Sequence, residues 1–349
     1  MDQRDRASLV PALGAEQASA AVLSPARGSS LTHDGPDGEH TVRVPELTRR
    51  WQPGRAVSLR ATLGPMRRGA GDPCFRFEGD TAWRAIRTPD GPATLRLSVR
   101  SADGEVAASA WGVGASWALD SVPALLGAQD EPAGFEPRHP VLREAWRRHC
   151  GWRVPRTGLV LEALVPAVFE QKVTGREAWR GWRQVVQSYG EPAPGPASVQ
   201  VLRLHVPPAP EVWSRVPSWE WHRAGVDQSR SRTVVRAASV AGRLEQLTGL
   251  AHAEAATKLR TLPGVGAWTA AEVAQRALGD PDSVSVGDFH LAGMVGWALV
   301  GERVDDDGML ELLEPYRGHR YRAVRMIELS GVHPPRRGPR FAGRDYRAM

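Results

Sequence analysis

The hydrophobic pattern of the chain begins, from Thr41 onward, with apolar residues that alternate with polar ones. The alternation is clearest at residues 57–63, 74–77 and 93–99. A period of two is typical of strands with one buried face, so we predict a strand over each of these three segments. Residues 89–91 (Pro-Asp-Gly) and 102–104 (Ala-Asp-Gly) lie between such runs and supply hairpin turns. We therefore expect an antiparallel sheet.

A short helix is expected to pack on this sheet at residues 117–126, with a break or a start at Pro123. Beyond about residue 138 the apolar residues recur at three-to-four spacing, which predicts amphipathic helices. These helices are expected at 160–165, 167–174, 178–189, 229–246, 253–261, 267–278, 289–300 and 320–329. A Pro/Gly cluster at 190–197 interrupts the series.

The chain therefore predicts an α+β protein with two structured parts and two tails. Residues 41–130 are expected to form the antiparallel sheet domain with its helix, and residues 138–332 an all-helical domain. Residues 1–40 lack a sustained period and predict a flexible tail that is dispensable for chemistry. Residues 333–349 begin with His-Pro-Pro-Arg-Arg and predict a basic, unstructured tail.

Composition narrows the class of protein only moderately. With 349 residues, 42% hydrophobic and 24% charged, the chain resembles ordinary soluble proteins, and two domains are expected. No apolar run is long enough to cross a bilayer, and the charged N-terminus does not resemble a secretion signal, so we expect a cytoplasmic location without membrane contact. Cys74 and Cys150 are too few for a four-cysteine metal or iron–sulfur site.

The net charge of +6 favours a polyanionic partner, but the signal is weak. Lys172 and Lys258 are the only lysines among 45 basic residues. The arginine excess is explained equally well by genomic base composition. Nine arginines lie between Arg317 and Arg347, a run that suits either a phosphate-binding face or a solvated surface.

The most specific stretch is Leu-Pro-Gly-Val-Gly-Ala-Trp-Thr-Ala at 262–270, between two predicted helices. Gly264 and Gly266 permit a tight turn that exposes successive backbone N–H groups, including that of Val265, at the start of the next helix. A phosphate can dock there without reference to base sequence. The alternative is a simple connection between antiparallel helices, and the hairpin alone does not decide between the two.

One helix further on, the sequence Ser-Val-Ser-Val-Gly-Asp-Phe-His occupies 283–290. Asp288 immediately precedes an apolar helix, where its carboxylate can cap exposed N–H groups. The hairpin, the helix and this loop together resemble the helix-hairpin-helix DNA glycosylase superfamily. Within it, the chain is most similar to bacterial 3-methyladenine DNA glycosylase II. Similar stretches at 117–126, 169–174 and 315–320 extend the resemblance over about residues 41–332.

The resemblance implies a TATA-binding-protein-like sheet domain ahead of the helical region, and it implies roles for individual residues. Asp288 becomes the catalytic carboxylate, because cleavage of a glycosidic bond builds positive charge on the sugar. The resemblance also implies a base pocket formed by Trp268, Glu272 and Phe289. Trp268 suits an electron-poor alkylated purine, although it also suits packing of the hairpin on the core. Relatives carry tyrosine at Glu272 and tryptophan at Arg325, so the pocket is expected to be less aromatic.

The same resemblance implies the DNA contacts and the reaction branch. Besides the hairpin residues, the expected DNA-binding set consists of Gln171, Lys172, Thr174, Arg317 and Arg320. Lys172 stands where relatives carry an apolar wedge. Members that nick DNA carry a hairpin lysine where this chain has Trp268, so we expect a monofunctional enzyme without lyase activity.

No metal redox centre or organic cofactor is implied, although the resemblance allows a structural cation at the hairpin carbonyls. The expected partner is double-stranded DNA containing damaged bases, bound by a monomer at the nucleoid. A catalytically silent DNA-binding protein is the alternative, since it needs the hairpin and the arginines but not Asp288. An oxidised-purine glycosylase is disfavoured by the missing lysine.

Overall fold

The computed structural model describes residues 46–100 and 104–335. The predicted tail over 1–40, most of the basic tail over 333–349 and two residues of the predicted turn at 102–104 lie outside the described residues.

A five-stranded antiparallel sheet occupies the first part of the described chain, in the order β1-β5-β4-β3-β2. Its strands are β1 Leu47–Trp51, β2 Phe75–Glu78, β3 Thr81–Thr88, β4 Gly91–Arg100 and β5 Glu105–Trp111. Thr88 pairs with Gly91, so residues 89 and 90 form a two-residue hairpin turn. The predicted antiparallel sheet and its first turn are thereby confirmed.

Both faces of the sheet are covered. One face packs on the helices α2 Ala115–Asp120 and α3 Val122–Leu125, with Leu95, Leu97 and Leu119 fully buried between them. On the other face, the rings of Trp83 and Trp111 stack with their centroids 5.9 Å apart and pack against apolar residues of the 193–206 segment. The sheet is therefore joined to the rest of the molecule by a second apolar layer.

The predicted strand over 57–63 is wrong, because helix α1 Leu59–Leu63 stands there. The side chain of Ser58 accepts a hydrogen bond from the N–H of Ala61 and caps this helix. Leu59, Thr62 and Leu63 are buried, which is the spacing of one helix face. In so short a segment, alternation and helical spacing select nearly the same apolar residues.

Helices dominate from residue 140 onward. They are α4 Pro140–His149, α5 Val160–Phe169, α6 Gly175–Tyr189, α7 Ala197–Leu202, α8 Pro210–Trp213, α9 Ser218–Arg223, α10 Gln228–Ser239, α11 Ala241–Glu245, α12 His252–Leu259, α13 Ala267–Val273, α14 Leu291–Val300, α15 Asp306–Leu313 and α16 Arg320–Ser330. Short 3-10 turns occupy Gly64–Met66, Gln246–Gly249 and Glu314–Tyr316, and a π-helix over Ala274–Leu278 continues α13.

The expectation of an all-helical region is wrong at one place. Strands β6 Glu191–Pro192 and β7 His205–Val206 form a two-stranded antiparallel sheet. The Pro/Gly cluster ends α6, and the returning chain docks near β2, where the N–H of His205 donates to the carbonyl of Pro73. Two-residue strands leave too little periodicity to detect in the sequence.

The helical part contains two apolar clusters. The first surrounds α5 and α6, where Phe169, Trp182 and Trp213 lie ring against ring, and it includes two apolar residues of α13. The second combines residues of α4, α14 and α16. Residues 280–290, which connect α13 to α14, pass from the first cluster to the second. The predicted catalytic aspartate therefore lies where the two clusters meet.

No helix in the described part of the chain is long and apolar enough to span a bilayer.

Candidate active site

The hairpin between α12 and α13 depends on glycine at one position. Gly264 has a φ of +95°, and a Cβ atom there would lie 2.0 Å from the Oγ1 atom of Thr233 on α10. Gly266 is exposed and has open space around its Cα. Val265 is buried, and its N–H donates to the carbonyl of Leu262 at 3.0 Å. The outward-facing part of the hairpin is therefore formed by the two glycines, while Val265 shapes the turn.

The start of α13 is suited to an anion. Among the described residues, no side chain caps this helix at Gly266. Uncapped N–H groups at a helix start, together with the helix dipole, form a general binding site for phosphate or carboxylate. The N–H of Val265, which we expected among the exposed groups, is used within the turn, and phosphate binding at the start of α13 stays a prediction.

The turn after α5 lies directly against the hairpin. The side-chain amide of Gln171 donates to the carbonyl of Gly264 at 2.9 Å and to the hydroxyl of Thr269 at 2.8 Å. Lys172 is exposed and adopts a left-handed backbone conformation with a φ of +55°. Thr174 forms a capping box with Glu177 at the start of α6. Gln171 and the hairpin are thus brought together, Lys172 projects outward, and the Thr174 hydroxyl is used within the fold.

The carboxylate of Asp288 is held on both oxygens. Its Oδ1 atom accepts hydrogen bonds from the backbone N–H groups of His290 at 2.8 Å and Leu291 at 3.0 Å, at the start of α14. Its Oδ2 atom accepts a hydrogen bond from the indole N–H of Trp268 at 3.1 Å. The side chain is only half-buried. The predicted cap and a hydrogen bond to the hairpin tryptophan, which the sequence did not predict, therefore occur at the same carboxylate.

The other two residues of the predicted base pocket occupy different surroundings. Phe289 is 81% exposed, and its ring lies 4.8 Å from the ring of His290. Glu272 is only 9% exposed. Its carboxylate forms an ion pair with Arg276 at 2.7 Å and accepts a hydrogen bond from the hydroxyl of Ser285 at 2.6 Å. Phe289 thus lies on the outside of the site, and Glu272 lies behind it.

The two predicted arginines near the end of the chain both have acidic partners. Arg317 is exposed and forms an ion pair with Glu314. Arg320 binds the carboxylate of Asp282, with its Nε atom 2.8 Å from Oδ1. Burial acts to raise the pKa of Asp282, but the hydrogen bonds from Arg320 outweigh it and leave that pKa below its ordinary value. Arg320 therefore anchors the first part of the 280–290 loop.

Sequence reasoning did not identify the neighbour of the hairpin on α10. Thr233 is buried against Gly264, and the exposed Arg232 and Arg236 lie on the same helix, with Arg236 one turn beyond Thr233. The amphipathic pattern predicts this helix correctly. It does not reveal which loop the helix contacts, because contacts between distant segments leave no local periodicity.

The described part of the chain contains no cluster of three or more His, Cys, Asp or Glu residues that could hold a metal ion.

Comparison with known proteins gives similar sequences from two strains of one organism and several similar structures. No family model matches the chain. A segment of 154 residues is 34% identical to a probable bifunctional transcriptional activator/DNA repair enzyme AlkA of Mycobacterium tuberculosis. The match covers 44% of this chain and 30% of that protein, so the chain spans less than a third of its relative's length.

Solved structures match over most of the chain. A 3-methyladenine DNA glycosylase from Archaeoglobus fulgidus aligns with a TM-score of 0.64 at 17% identity, covering 80% of this chain and 96% of that one. An 8-oxoguanine glycosylase/lyase from Clostridium acetobutylicum aligns with a TM-score of 0.62 at 10% identity, covering 82% and 98%. The protein MBOgg1, solved with a low-affinity DNA ligand, aligns at 0.63 and 15%, covering 82% and 95%.

The chain therefore has the fold of the helix-hairpin-helix DNA glycosylases. Over the matched 154 residues, its sequence resembles the probable bifunctional transcriptional activator/DNA repair enzyme AlkA. The resemblance predicted from the hairpin and the aspartate is confirmed.

Proposed function

We propose that the chain is a monofunctional DNA glycosylase of base excision repair, which hydrolyses the N-glycosidic bond of an alkylated base flipped out of duplex DNA. The observation that carries the proposal is the carboxylate of Asp288. It is half-buried, fixed by three hydrogen bonds, and bonded to the tryptophan that follows the glycine hairpin.

The proposed chemistry follows from that carboxylate. As the bond between the sugar C1′ atom and the base breaks, positive charge develops on the sugar and the electron pair leaves with the base. A fixed negative charge beside the sugar stabilises that charge, and water then adds to C1′ and loses one proton, which leaves an abasic site. The hydrogen bonds to Asp288 fix its orientation, so little rearrangement is needed when the charge appears.

Trp268 has two roles in this proposal. Its indole N–H holds Asp288, and its ring is available to stack on an extruded base. An alkylated purine is electron-poor or cationic, and an aromatic face attracts such a base. The names of the similar proteins refer to both 3-methyladenine and 8-oxoguanine. Trp268 stands where members that nick DNA carry the hairpin lysine, so hydrolysis without strand cleavage is favoured over the lyase reaction. Of the two bases named, the alkylated one is therefore the favoured substrate.

The proposed grip on DNA combines the hairpin with the basic side chains around it. Gly264 and Gly266 offer backbone N–H groups to a phosphate, and Lys172 projects from the adjoining turn, where its stem can fill the gap left by the extruded nucleotide. The exposed Arg232 and Arg236 of α10 extend the positive surface. Arg317 can leave its ion pair with Glu314 and bind a phosphate, because both side chains are exposed.

The test is release of bases from methylated duplex DNA by the full chain. We expect free alkylated bases and abasic sites, with strands that stay intact until alkali is added. Strand breaks without alkali would contradict the monofunctional reaction. Binding to several lesions without release of any base would favour the alternative hypothesis, a catalytically silent DNA-binding protein.

A further inference from the structure

Three polar side chains of α13 and its π-helical continuation face the 280–290 loop. Trp268, Glu272 and Gln275 are separated by four and three residues, which places them on one helix face. All three make hydrogen bonds to the loop, at Asp288, Ser285 and Ser283. The helix that begins at the hairpin is therefore connected to the loop at three successive levels.

The hydroxyl of Ser285 connects the side chains of Glu272 and Gln275 to the loop. It donates to the Oε1 atom of Glu272 at 2.6 Å and accepts a hydrogen bond from the side-chain amide of Gln275 at 3.0 Å. The same amide also donates to the carbonyl of Ser283 at 2.9 Å. The carbonyl of Ser285 in turn accepts the N–H of Asp288 at 3.2 Å. One serine thus links the helix face to the backbone of the aspartate.

The contacts lie in the interior, where polar groups are costly to bury. Ser285 and Gln275 are each 4% exposed. The carboxylate of Glu272 is balanced by Arg276, whose guanidinium also donates to the backbone carbonyl of Glu272 at 3.1 Å. Apolar side chains would fill this space at a smaller desolvation cost, but they would not fix the loop in one direction, because their contacts lack the angular dependence of hydrogen bonds.

We propose that Glu272 and Gln275 are positioning residues of the active site, which act through Ser285 to set where the Asp288 carboxylate stands relative to α13. The inference rests on the proposed glycosylase function. It gives Glu272 a role behind the pocket in place of contact with the base. In the proposed complex the hairpin binds a DNA phosphate at the start of α13. The positions of the loop contacts along this helix then fix the distance from that phosphate to the Asp288 carboxylate.

The test uses Ser285→Ala, which removes the shared hydroxyl and leaves the Glu272–Arg276 ion pair in place. We expect the single-turnover rate of base release to fall about tenfold, since small misplacements of reacting groups are costly, while the dissociation constant for DNA stays within about twofold. Gln275→Ala should lower the rate similarly. The double variant with both substitutions should be about as slow as the slower single variant, because both changes remove contacts of the same hydroxyl.

Ser231→Ala is the matched control. Ser231 is a buried serine of α10 whose hydroxyl donates to Gln228 within the same helix. We expect the wild-type rate from this variant, whatever stability it loses. A wild-type rate from Ser285→Ala, or a loss of rate that only follows a loss of DNA affinity or of folded protein, would overturn the positioning role while leaving the proposed function in place.

A second measurement does not depend on activity. The indole N–H resonance of Trp268, assigned by its loss in Trp268→Phe, reports the hydrogen bond to Asp288. We expect its hydrogen exchange to become at least about tenfold faster in Ser285→Ala, because the loop is released locally, and to be unchanged in Ser231→Ala. Unchanged exchange in Ser285→Ala would overturn the inference. Faster exchange in Ser285→Ala, together with no base release by the wild-type protein, would instead refute only the glycosylase function.

Discussion

The hairpin at 262–266 and the loop at 280–290 flank the same helix, yet they are held in different ways. The hairpin owes its shape to its own backbone, chiefly to the positive φ of Gly264 and its close approach to Thr233. The loop is held by side chains from α13, α15 and α16, including Trp268, Asp306 and Arg320.

The difference fits the roles that the proposed function gives to the two segments. A phosphate can be held by backbone N–H groups, so a few glycines in a short turn suffice. A carboxylate that must stand at a fixed distance from a sugar needs directional bonds on several sides, and these come from elements far apart in the sequence. The four predictions below test this contrast, beginning with the largest expected effect.

Gly264→Ala should damage the hairpin most. The residue would be held at a positive φ with its Cβ against Thr233, so we expect a loss of about 1–3 kcal/mol in the free energy of unfolding. Urea denaturation measures it. Gly266→Ala is the matched variant, because this position has a negative φ and open space, and it should cost less than about 1 kcal/mol. Equal losses would contradict the special role of Gly264.

Trp268→Phe tests the direct bond across the two segments. Phenylalanine keeps an aromatic face but cannot donate to Asp288, so we expect base release to slow about tenfold, which corresponds to about 1.4 kcal/mol. The single-turnover rate on methylated duplex is the measurement. Trp219→Phe, at a tryptophan of α9 that is 65% exposed, serves as the control and should react at the wild-type rate. An unchanged rate in Trp268→Phe would mean that the indole N–H does not orient the carboxylate.

Gln171→Ala should loosen the hairpin from the adjoining turn. The loss of the bonds to Gly264 and Thr269 should weaken DNA binding by about 1 kcal/mol, or about fivefold. Fluorescence anisotropy with undamaged duplex measures the affinity. Gln200→Ala, at an exposed glutamine whose amide donates a long 3.5 Å hydrogen bond to the carbonyl of Ala193, should bind like the wild type. Equal affinities of all three proteins would show that the hairpin needs no such support.

Arg320→Gln should have the smallest effect and a distinct pH dependence. The ion pair with Asp282 is partly exposed, so its loss should cost less than about 1 kcal/mol. Because the pKa of Asp282 is lowered in the folded state, its stabilising contribution is present above the unfolded pKa of about 4 and is lost as the pH falls through the folded value. Melting temperatures of the two proteins should therefore converge in acid. A gap that widens in acid would contradict the assignment.

The sequence predicted what depends on local pattern. The hairpin could be identified from its Pro-Gly-Val-Gly sequence, in which position 264 requires glycine, and α6 and α10 because their apolar residues keep a helical period. The capping position of Asp288 also follows from its place before an apolar helix. The family resemblance combined these features into one site.

The rest depends on contacts that no local pattern encodes. Glu272 was expected in the base pocket because a tyrosine stands there in relatives, but its carboxylate is drawn to Ser285 and Arg276. Gln275 was not singled out at all, since a glutamine in a helix is ordinary until its partner is known. The predicted strand at 57–63 is wrong for a related reason. The five residues of helix α1 are too few to distinguish the period of a strand from that of a helix.

The most direct test of the account is the rate of base release by Asp288→Asn. Asparagine keeps an oxygen that can cap α14, so the fold and the affinity for DNA should be retained, while the negative charge is lost. We expect the single-turnover rate to fall by at least about 100-fold, with the dissociation constant for DNA unchanged within about twofold. Release at the wild-type rate by a folded Asp288→Asn protein would contradict the central claim that this carboxylate carries the chemistry.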